Sequence, residues 1–268
     1  MGNGVLVETL FSGISRGTER LVFEGRVPVS EATRMRAPNQ EGEFSFPVKF
    51  GYCAVGRVME GDRAGQEVFA LHPHQSMFRL PTELLNPIPA NVPAERAVLA
   101  ANMETALNIV WDSAVSAGDR VLVIGAGVVG SLAGYLINQM PGTEVTLVDI
   151  NPEREHVAVE LGCEFAEPAN APINCDVVIH TSATEEGASL AIESAGQEAK
   201  LVEASWYGDK SIQVSLGGQF HSKRLSLISS QVGNLPPDRA SRWSHQRRIQ
   251  KALELLENPV VDVLISGE

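Results

Sequence analysis

One short run, RVLVIGAGVVGSLAGYLI, constrains the fold of this chain more than any other feature. An apolar strand predicted at Arg120–Ile124 leads into Gly125, Gly127 and Gly130, and these glycines open an apolar helix predicted at Val128–Asn138. The spacing GxGxxG is weak evidence alone, but it is informative between a strand and a helix. A strand followed at once by a helix favours a parallel sheet, because the helix carries the chain back over one sheet face.

The three glycines predict a binding site for a dinucleotide. Gly125 permits the tight turn, Gly127 leaves the backbone open to a pyrophosphate, and Gly130 lets the helix pack closely on the strand. The first N–H groups of the helix, which include those of Val128 and Val129, have no acceptor within the helix and favour an anion. The alternative is a glycine turn that keeps this shape and binds no cofactor.

The second strand of this unit, predicted at residues 144–149, ends in Asp149. A carboxylate at this position accepts hydrogen bonds from the adenosine ribose hydroxyls. It also repels a 2′-phosphate, and no arginine follows it immediately, since the next residues are Ile150 and Asn151. We therefore predict NAD as the cofactor in preference to NADP.

From about residue 94 onward, predicted strands and helices alternate. Further strands are expected at 176–180, 200–203 and 225–229, and further helices at 94–114, 152–161, 185–195 and 238–256. This order predicts an α/β doubly wound parallel sheet of the Rossmann type. Ligands of such sheets bind at the carboxyl ends of the strands. Ser182 and Ser205 follow two predicted strands, so we include them among the cofactor-binding residues.

The first third of the chain differs from the rest in composition and in its predicted secondary structure. It is rich in glycine and proline, and its short β-like runs predict a small barrel or sandwich. We expect one domain at residues 1–93, with residues 236–268 returning toward it, and a dinucleotide-binding domain at residues 94–235. The length of 268 residues allows two such domains.

Composition narrows the range of partners and compartments. The net charge of −12 argues against nucleic acid, whose binding needs clustered lysine and arginine. No run approaches the ~20 apolar residues of a membrane span, and no signal peptide is visible. The three cysteines, Cys53, Cys163 and Cys175, form no CxxC pair. Such sparse cysteines are typical of a reducing compartment, so we expect a cytoplasmic protein.

Three segments resemble the medium-chain dehydrogenase/reductase superfamily, also called the zinc-type alcohol dehydrogenases. They are VLVETLFSGIS, FPVKFGYCAVGRV, and LAANMETALNIV followed by AGDRVLVIGAGVVG. The resemblance implies a GroES-like first domain and NAD-linked hydride transfer between an alcohol and a carbonyl compound in the cleft between the domains. It also implies a homodimer paired through the Rossmann sheets. Both ends are shorter than in the superfamily, so the first domain is expected to be truncated.

The zinc ligands of the superfamily are replaced in this sequence. Their positions hold Ser15, Tyr52 and Ala101, and Cys53 stands where the superfamily has the glutamate of its GHE motif. A catalytic zinc needs three ligands of the cysteine, histidine or carboxylate type. We therefore expect no zinc. The run SGISRGTERL resembles a segment of bacteriochlorophyllide a dehydrogenases and related unassigned dehydrogenases, and we do not transfer their substrate.

Two histidines leave a metal site open as an alternative. His72 and His74 would share one face of an extended strand, where Glu104 or Glu19 could complete a metal site. The favoured interpretation is a polar edge of the barrel or a wall of the substrate cleft. A catalytic or substrate-binding histidine is the third interpretation.

The resemblance also supplies candidate catalytic residues. Ser15, Arg16, Glu19, Tyr52 and Glu104 would surround the place where zinc normally lies. Tyr52 is the first choice for a proton donor, because it replaces a ligand that points into the cleft. Ser15 and Arg16 would hold the substrate oxygen. For each of these residues the alternative is a structural hydrogen bond.

At the nicotinamide end, the resemblance implies contacts from Thr105, Ser230 and Gln231. Two other functions stay open at this stage. One is an NAD(P)H-dependent quinone or enone reductase, because zinc-free members of the superfamily often catalyse that reaction. The other is a non-catalytic NAD-binding protein. In either enzymatic case the substrate is a small molecule.

Overall fold

The structure is a computed structural model that describes residues 4–44 and 46–267. The chain divides into two compact units. Unit 1 comprises Met1–Ala101 and His245–Pro259, and unit 2 comprises Asn102–Ser244 and Val260–Glu268. Within the described ranges, no helix combines the length and the apolar character that crossing a membrane requires.

Thirteen strands and seven α-helices lie within the described residues. The strands are β1 (Val5–Ser12), β2 (Glu41–Gly42), β3 (Val48–Lys49), β4 (Ala54–Val58), β5 (Glu67–Ala70), β6 (Met77–Leu80), β7 (Asn86–Pro87), β8 (Arg120–Ile124), β9 (Glu144–Val148), β10 (Glu164–Ala166), β11 (Cys175–His180), β12 (Ala195–Glu203) and β13 (Ser226–Ser229). The helices are α1 (Arg16–Phe23), α2 (Ala94–Ala97), α3 (Ala100–Ser113), α4 (Val128–Asn138), α5 (Glu155–Glu160), α6 (Glu185–Ser194) and α7 (His245–Glu254).

Unit 1 is built on an antiparallel sheet of five strands in the order β6-β1-β4-β5-β7. Strands β2 and β3 form a separate antiparallel pair. Side chains alternate across a strand, so one face of the sheet can bury an apolar set. The core on that face includes Val7, Val58, Val68, Phe78 and Leu80. The short β-like runs of the first third of the chain thus form an antiparallel sheet.

Unit 2 is built on a parallel sheet of six strands in the order β10-β9-β8-β11-β12-β13. This is the doubly wound order in which the first strand of the unit, β8, lies beside both the second and the fourth. The direction of winding reverses between β8 and β11, where ligands of such sheets bind. The apolar core on one side of the sheet includes Leu122, Val178 and Leu201. The predicted α/β fold class is confirmed.

The join between β8 and α4 has no room for a side chain at Gly125 or Gly130. Gly125 has a φ of +103°, and a Cβ there would lie 2.8 Å from the Thr181 hydroxyl oxygen. A Cβ on Gly130 would lie 2.0 Å from the carbonyl oxygen of Gly125. A Cβ on Gly127 would meet no atom within 4 Å. The roles predicted for the three glycines therefore agree with the space around each of them.

Two helices differ from the sequence-based expectation. The helix expected at 94–114 is interrupted at Val98 and Leu99 into α2 and α3. The helix expected at 238–256 begins only at His245, because the segment before it forms tight turns after Pro236. Trp243, whose apolar character suggested a helix face, packs on Trp111 with ring centroids 4.7 Å apart. Trp243 is only partly buried, and it makes this contact from irregular chain before α7 rather than from a helix.

We predict that Gly130→Ala destabilises the protein by about 1–3 kcal/mol, the usual cost of overpacking a rigid site. Gly127→Ala is the matched control, because the same methyl group enters open space, and it is expected to cost less than about 1 kcal/mol. Urea unfolding followed by circular dichroism measures both values. Equal losses in the two variants would contradict the close approach of α4 to β8.

Candidate functional site

The glycine turn of unit 2 presents a ready anion site. Helix α4 has Gly127 as its N-cap, and Ser131 makes the first backbone bond of the helix, from its N–H to the Gly127 carbonyl at 2.8 Å. The N–H groups of Val128, Val129 and Gly130 precede that bond, so they have no acceptor within the helix. They are available to the pyrophosphate of a dinucleotide, together with the positive end of the helix dipole.

Asp149 lies directly beside this turn. Its Oδ2 accepts a hydrogen bond from the Ala126 N–H at 2.8 Å, and its Oδ1 accepts one from the Asn151 N–H at 2.9 Å. The two bonds hold the carboxylate between the end of β9 and the glycine turn. A carboxylate has about four acceptor positions, so lone pairs remain for ribose hydroxyls.

Ser182, Ser205 and Ser230 follow the strands β11, β12 and β13. The Ser205 hydroxyl donates to the His180 carbonyl at 3.3 Å and accepts from the Ala183 N–H at 3.1 Å. The Ser230 hydroxyl donates to Asp112 Oδ2 at 2.6 Å. Both hydroxyls thus join neighbouring parts of unit 2, and their contact with a cofactor stays a prediction.

A chain of polar side chains crosses the ends of β11 and β12. His180 and Glu203 are register partners on the two parallel strands, and His180 Nδ1 lies 2.7 Å from Glu203 Oε2. On the other side of the ring, His180 Nε2 lies 2.6 Å from the Ser182 hydroxyl. The Tyr207 hydroxyl donates to Glu203 Oε2 at 3.0 Å. The sequence does not predict this set of hydrogen bonds, although both strands end in a polar residue.

Burial and hydrogen bonding act against each other at Glu203. Burial raises its pKa, but the hydrogen bonds from His180 and Ser205 prevail, and the pKa lies below the ordinary value. The pKa of Tyr207 is raised by burial and by the neighbouring Glu203 carboxylate. Glu203 is therefore ionised and Tyr207 protonated at neutral pH.

In unit 1, Tyr52 lies in a hydrogen-bonded cluster. Its side chain bonds with the side chains of Ser15 and Thr18, and the Ser15 N–H donates to Glu19 Oε1 at 2.7 Å. Burial raises the Tyr52 pKa far above its ordinary range, and the neighbouring Cys53 adds to the shift. The phenol thus keeps its proton at neutral pH and serves as a hydrogen-bond donor.

The two histidines of unit 1 do not share a strand face, and this prediction is wrong. They lie after β5 in irregular chain, with Pro73 between them. His72 is buried and stacks on Phe78 at a centroid distance of 4.1 Å. His74 joins the cluster instead: its Nε2 lies 2.6 Å from Glu19 Oε2 and its Nδ1 lies 2.5 Å from the Ser12 hydroxyl. The hydrogen bond with Glu19 raises the His74 pKa.

The remaining candidates are Arg16, Glu104 and Thr105. Arg16 is exposed at the first position of α1, and its side chain takes part in none of the hydrogen bonds or ion pairs of the described residues. Glu104 is 5 % exposed on α3, and Thr105 next to it is partly exposed. The catalytic role of Glu104 and the cofactor contact of Thr105 remain predictions.

The donor set at the three zinc positions does not fit zinc. Ser15 offers a hydroxyl, Tyr52 a phenol that keeps its proton, and Ala101 a methyl group. Burial also raises the pKa of Cys53, so its thiol is neutral and a poor ligand. Over residues 4–44 and 46–267, no three side chains of the His, Cys, Asp or Glu type lie close enough to hold a metal ion.

Comparisons with known proteins agree with the fold. No family model matches the chain. An (R,R)-butanediol dehydrogenase from Bacillus subtilis is 28% identical over 59% of this chain, and the match spans 55% of that protein. A D-guloside 3-dehydrogenase from Escherichia coli is 25% identical over 96% of this chain and 82% of that protein.

Solved structures share the fold over nearly the whole chain. The L-idonate 5-dehydrogenase of Escherichia coli matches with a TM-score of 0.75 at 17% identity, over 96% of this chain and 81% of that one. A zinc-binding dehydrogenase from Sinorhizobium meliloti bound to NADP gives 0.74 at 17% identity, over 96% and 82%. An Escherichia coli alcohol dehydrogenase complexed with NADH gives 0.73 at 17% identity, over 97% and 81%.

The order of the two units, the parallel sheet with its glycine turn and the sequence relatives all lead to the same assignment. By sequence and by fold, the chain is similar to zinc-type alcohol and polyol dehydrogenases of the medium-chain dehydrogenase/reductase superfamily.

Proposed function

We propose that this protein is an NAD-dependent oxidoreductase that interconverts an alcohol and a carbonyl compound without zinc. The observation that carries the proposal is the open turn at Gly127, with Asp149 held beside it by the Ala126 N–H. The relatives are named for a diol, a guloside and an idonate, which favours a polyhydroxylated secondary alcohol as substrate.

Different residues of unit 2 would bind different parts of the dinucleotide. The N–H groups of Val128 and Val129 would bind the pyrophosphate, and Asp149 would accept hydrogen bonds from the adenosine ribose. The nicotinamide supplies the hydride chemistry when the cofactor is bound. The protein then has to orient the substrate and to handle the proton of its hydroxyl group.

Unit 1 offers the groups for that proton. Tyr52 is a protonated donor that can polarise a substrate oxygen, as an oxyanion-stabilising group does. His74 would take that proton by way of Ser12: Glu19 holds ring Nε2, and the Ser12 hydroxyl lies 2.5 Å from Nδ1, so Nδ1 can accept the Ser12 proton while the Ser12 oxygen accepts that of the substrate. A phenol and an imidazole would thus replace the metal in holding the oxygen and taking its proton.

Replacing Asp149 by asparagine is expected to weaken NADH binding about tenfold, because it removes charge-assisted hydrogen bonds to the ribose. The amide oxygen can still accept from Ala126, so the turn keeps its shape. Affinity for NADPH rises relative to NADH, because the repulsion of the 2′-phosphate is gone. Fluorescence titration with both cofactors measures this, and Glu153→Gln is a control with the same change of charge. Tighter binding of NADPH than of NADH by the unaltered protein would contradict the preference for NAD.

Tyr52→Phe is expected to lower kcat/KM at least about 100-fold, the usual contribution of a positioned acid or base, while the Kd for NADH stays unchanged. The assay follows NAD reduction with a panel of vicinal diols and sugar alcohols. Tyr135→Phe makes the same chemical change on α4 and is expected to change kcat/KM less than twofold. Unchanged turnover in the Tyr52 variant would remove Tyr52 from the mechanism.

The pH profile of alcohol oxidation tests His74. A raised pKa means that the ring becomes neutral, and able to accept a proton, only above the ordinary histidine value of about 6.5. The rate is therefore expected to rise with pH through an apparent pKa above that value. His74→Asn abolishes this rising limb, and His156→Asn on α5 leaves it in place. A limb that persists in the His74 variant would assign the proton to another group.

A further inference from the structure

The polar chain at the ends of β11 and β12 has a defined direction of hydrogen bonding. Glu203 is ionised, so its oxygens only accept. His180 Nδ1, at 2.7 Å, must therefore carry a proton and donate it to Glu203. A neutral imidazole has only one N–H, so Nε2 is then an acceptor. The Ser182 hydroxyl, at 2.6 Å from Nε2, donates its proton there.

The contact with Thr184 also makes Ser182 Oγ an acceptor. Thr184 is the N-cap of α6, and its oxygen accepts the Gly187 N–H at 3.0 Å. Its own proton is free to be donated to Ser182 Oγ, at 3.0 Å. Ser182 thus gives its only proton to His180 and accepts one bond from Thr184. One lone pair remains on Ser182 Oγ.

The buried surroundings of His180 stabilise the hydrogen bonds between Glu203, His180 and Ser182. His180 is 2 % exposed, and with Glu203 and Tyr207 it forms the polar end of an otherwise apolar cavity of about 150 Å³. In such low-dielectric surroundings hydrogen bonds are strong and unpaired polar groups are costly. Among the described contacts, the titratable groups that face the ring are Glu203 from β12 and Tyr207 after it, while α6 presents Gly187 and Ala188.

Ser182 lies at the glycine turn. A Cβ on Gly125 would be 3.0 Å from the Ser182 backbone nitrogen. The remaining lone pair of Ser182 Oγ therefore lies at the edge of the sheet where the dinucleotide is proposed to bind. Phosphate oxygens only accept hydrogen bonds, whereas ribose hydroxyls can donate them.

We propose that the chain Glu203–His180–Ser182 makes Ser182 an acceptor only, so that it binds a donor, a ribose hydroxyl of the dinucleotide, and disfavours phosphate oxygens. His180 and Glu203 are positioning residues that act through Ser182. This inference rests on the proposed NAD binding.

The order serine, histidine, carboxylate is also that of a nucleophilic triad, but the geometry disfavours that use. A Cβ on Gly187 would lie 2.4 Å from Ser182 Oγ and 2.5 Å from His180 Nε2. Helix α6 therefore closes the side of Ser182 Oγ that faces His180 Nε2 and leaves no space for an acyl group beside that nitrogen.

A double-mutant cycle on NADH affinity at pH 8 tests the proposal, since histidine is ordinarily neutral at that pH. Ser182→Ala alone is expected to weaken binding about tenfold, and Glu203→Gln alone about three- to tenfold. In the Ser182→Ala background, Glu203→Gln adds less than about twofold, because its effect passes through Ser182. Tyr207→Phe is the matched control: it also removes a partner of Glu203 but leaves the chain intact, so binding changes less than about twofold.

Equal effects of Glu203→Gln in both backgrounds would overturn the proposal, because a merely structural role does not depend on Ser182. Absence of NADH binding in the unaltered protein would instead refute the proposed function. If Glu203→Gln fails to fold, Gly187→Ala breaks the same chain from α6 and is expected to weaken binding similarly. Nitrogen NMR of histidine-labelled protein gives an independent result: a protonated Nδ1 and an unprotonated Nε2 are expected at His180, and the opposite tautomer would overturn the proposal.

Discussion

The close approach of helix α4 to the end of strand β8 is the constraint on which unit 2 depends. Only hydrogen atoms fit between Gly130 and the carbonyl oxygen of Gly125, and only a positive φ lets Gly125 turn the chain there. This approach aims the free N–H groups of α4 at one point beside the sheet. The carboxylate of Asp149 then closes the turn through Ala126. Backbone geometry, more than any side chain, thus prepares the site for a dinucleotide.

In unit 1, the candidate site depends on the ionisation of side chains rather than on backbone groups. This chain has a buried phenol, Tyr52, whose pKa is raised, and a histidine, His74, whose pKa is raised by Glu19. Under the proposed function, Tyr52 would donate a hydrogen bond to the substrate oxygen and His74 would take its proton. The two pKa shifts have different causes, because burial favours the neutral form of Tyr52, whereas a carboxylate favours the charged form of His74.

Patterns in the sequence predicted the elements whose bounds depend on residues close together in the chain. The bounds of β8 and α4 match the expectation because apolar runs flank a glycine turn in which Gly125 and Gly130 have no room for a side chain. The helix at 238–256 was predicted too long because its first part forms turns after Pro236, and Trp243 contacts Trp111, which is distant in sequence. Likewise, the pairing of His180 with Glu203 depends on the register of β11 on β12, and that of His74 with Glu19 on a loop that carries no periodic pattern. Polar residues at the ends of two strands are a sequence signal for the pair His180 and Glu203. No sequence pattern predicts the pair His74 and Glu19.

A crystal structure of the protein with NADH is the direct test of dinucleotide binding at the glycine turn. We expect pyrophosphate oxygens within about 2.7–3.2 Å of the N–H groups of Val128 and Val129, with an adenosine ribose hydroxyl on Asp149. A dinucleotide bound elsewhere, or one whose pyrophosphate makes no contact with the start of α4, would contradict this expectation.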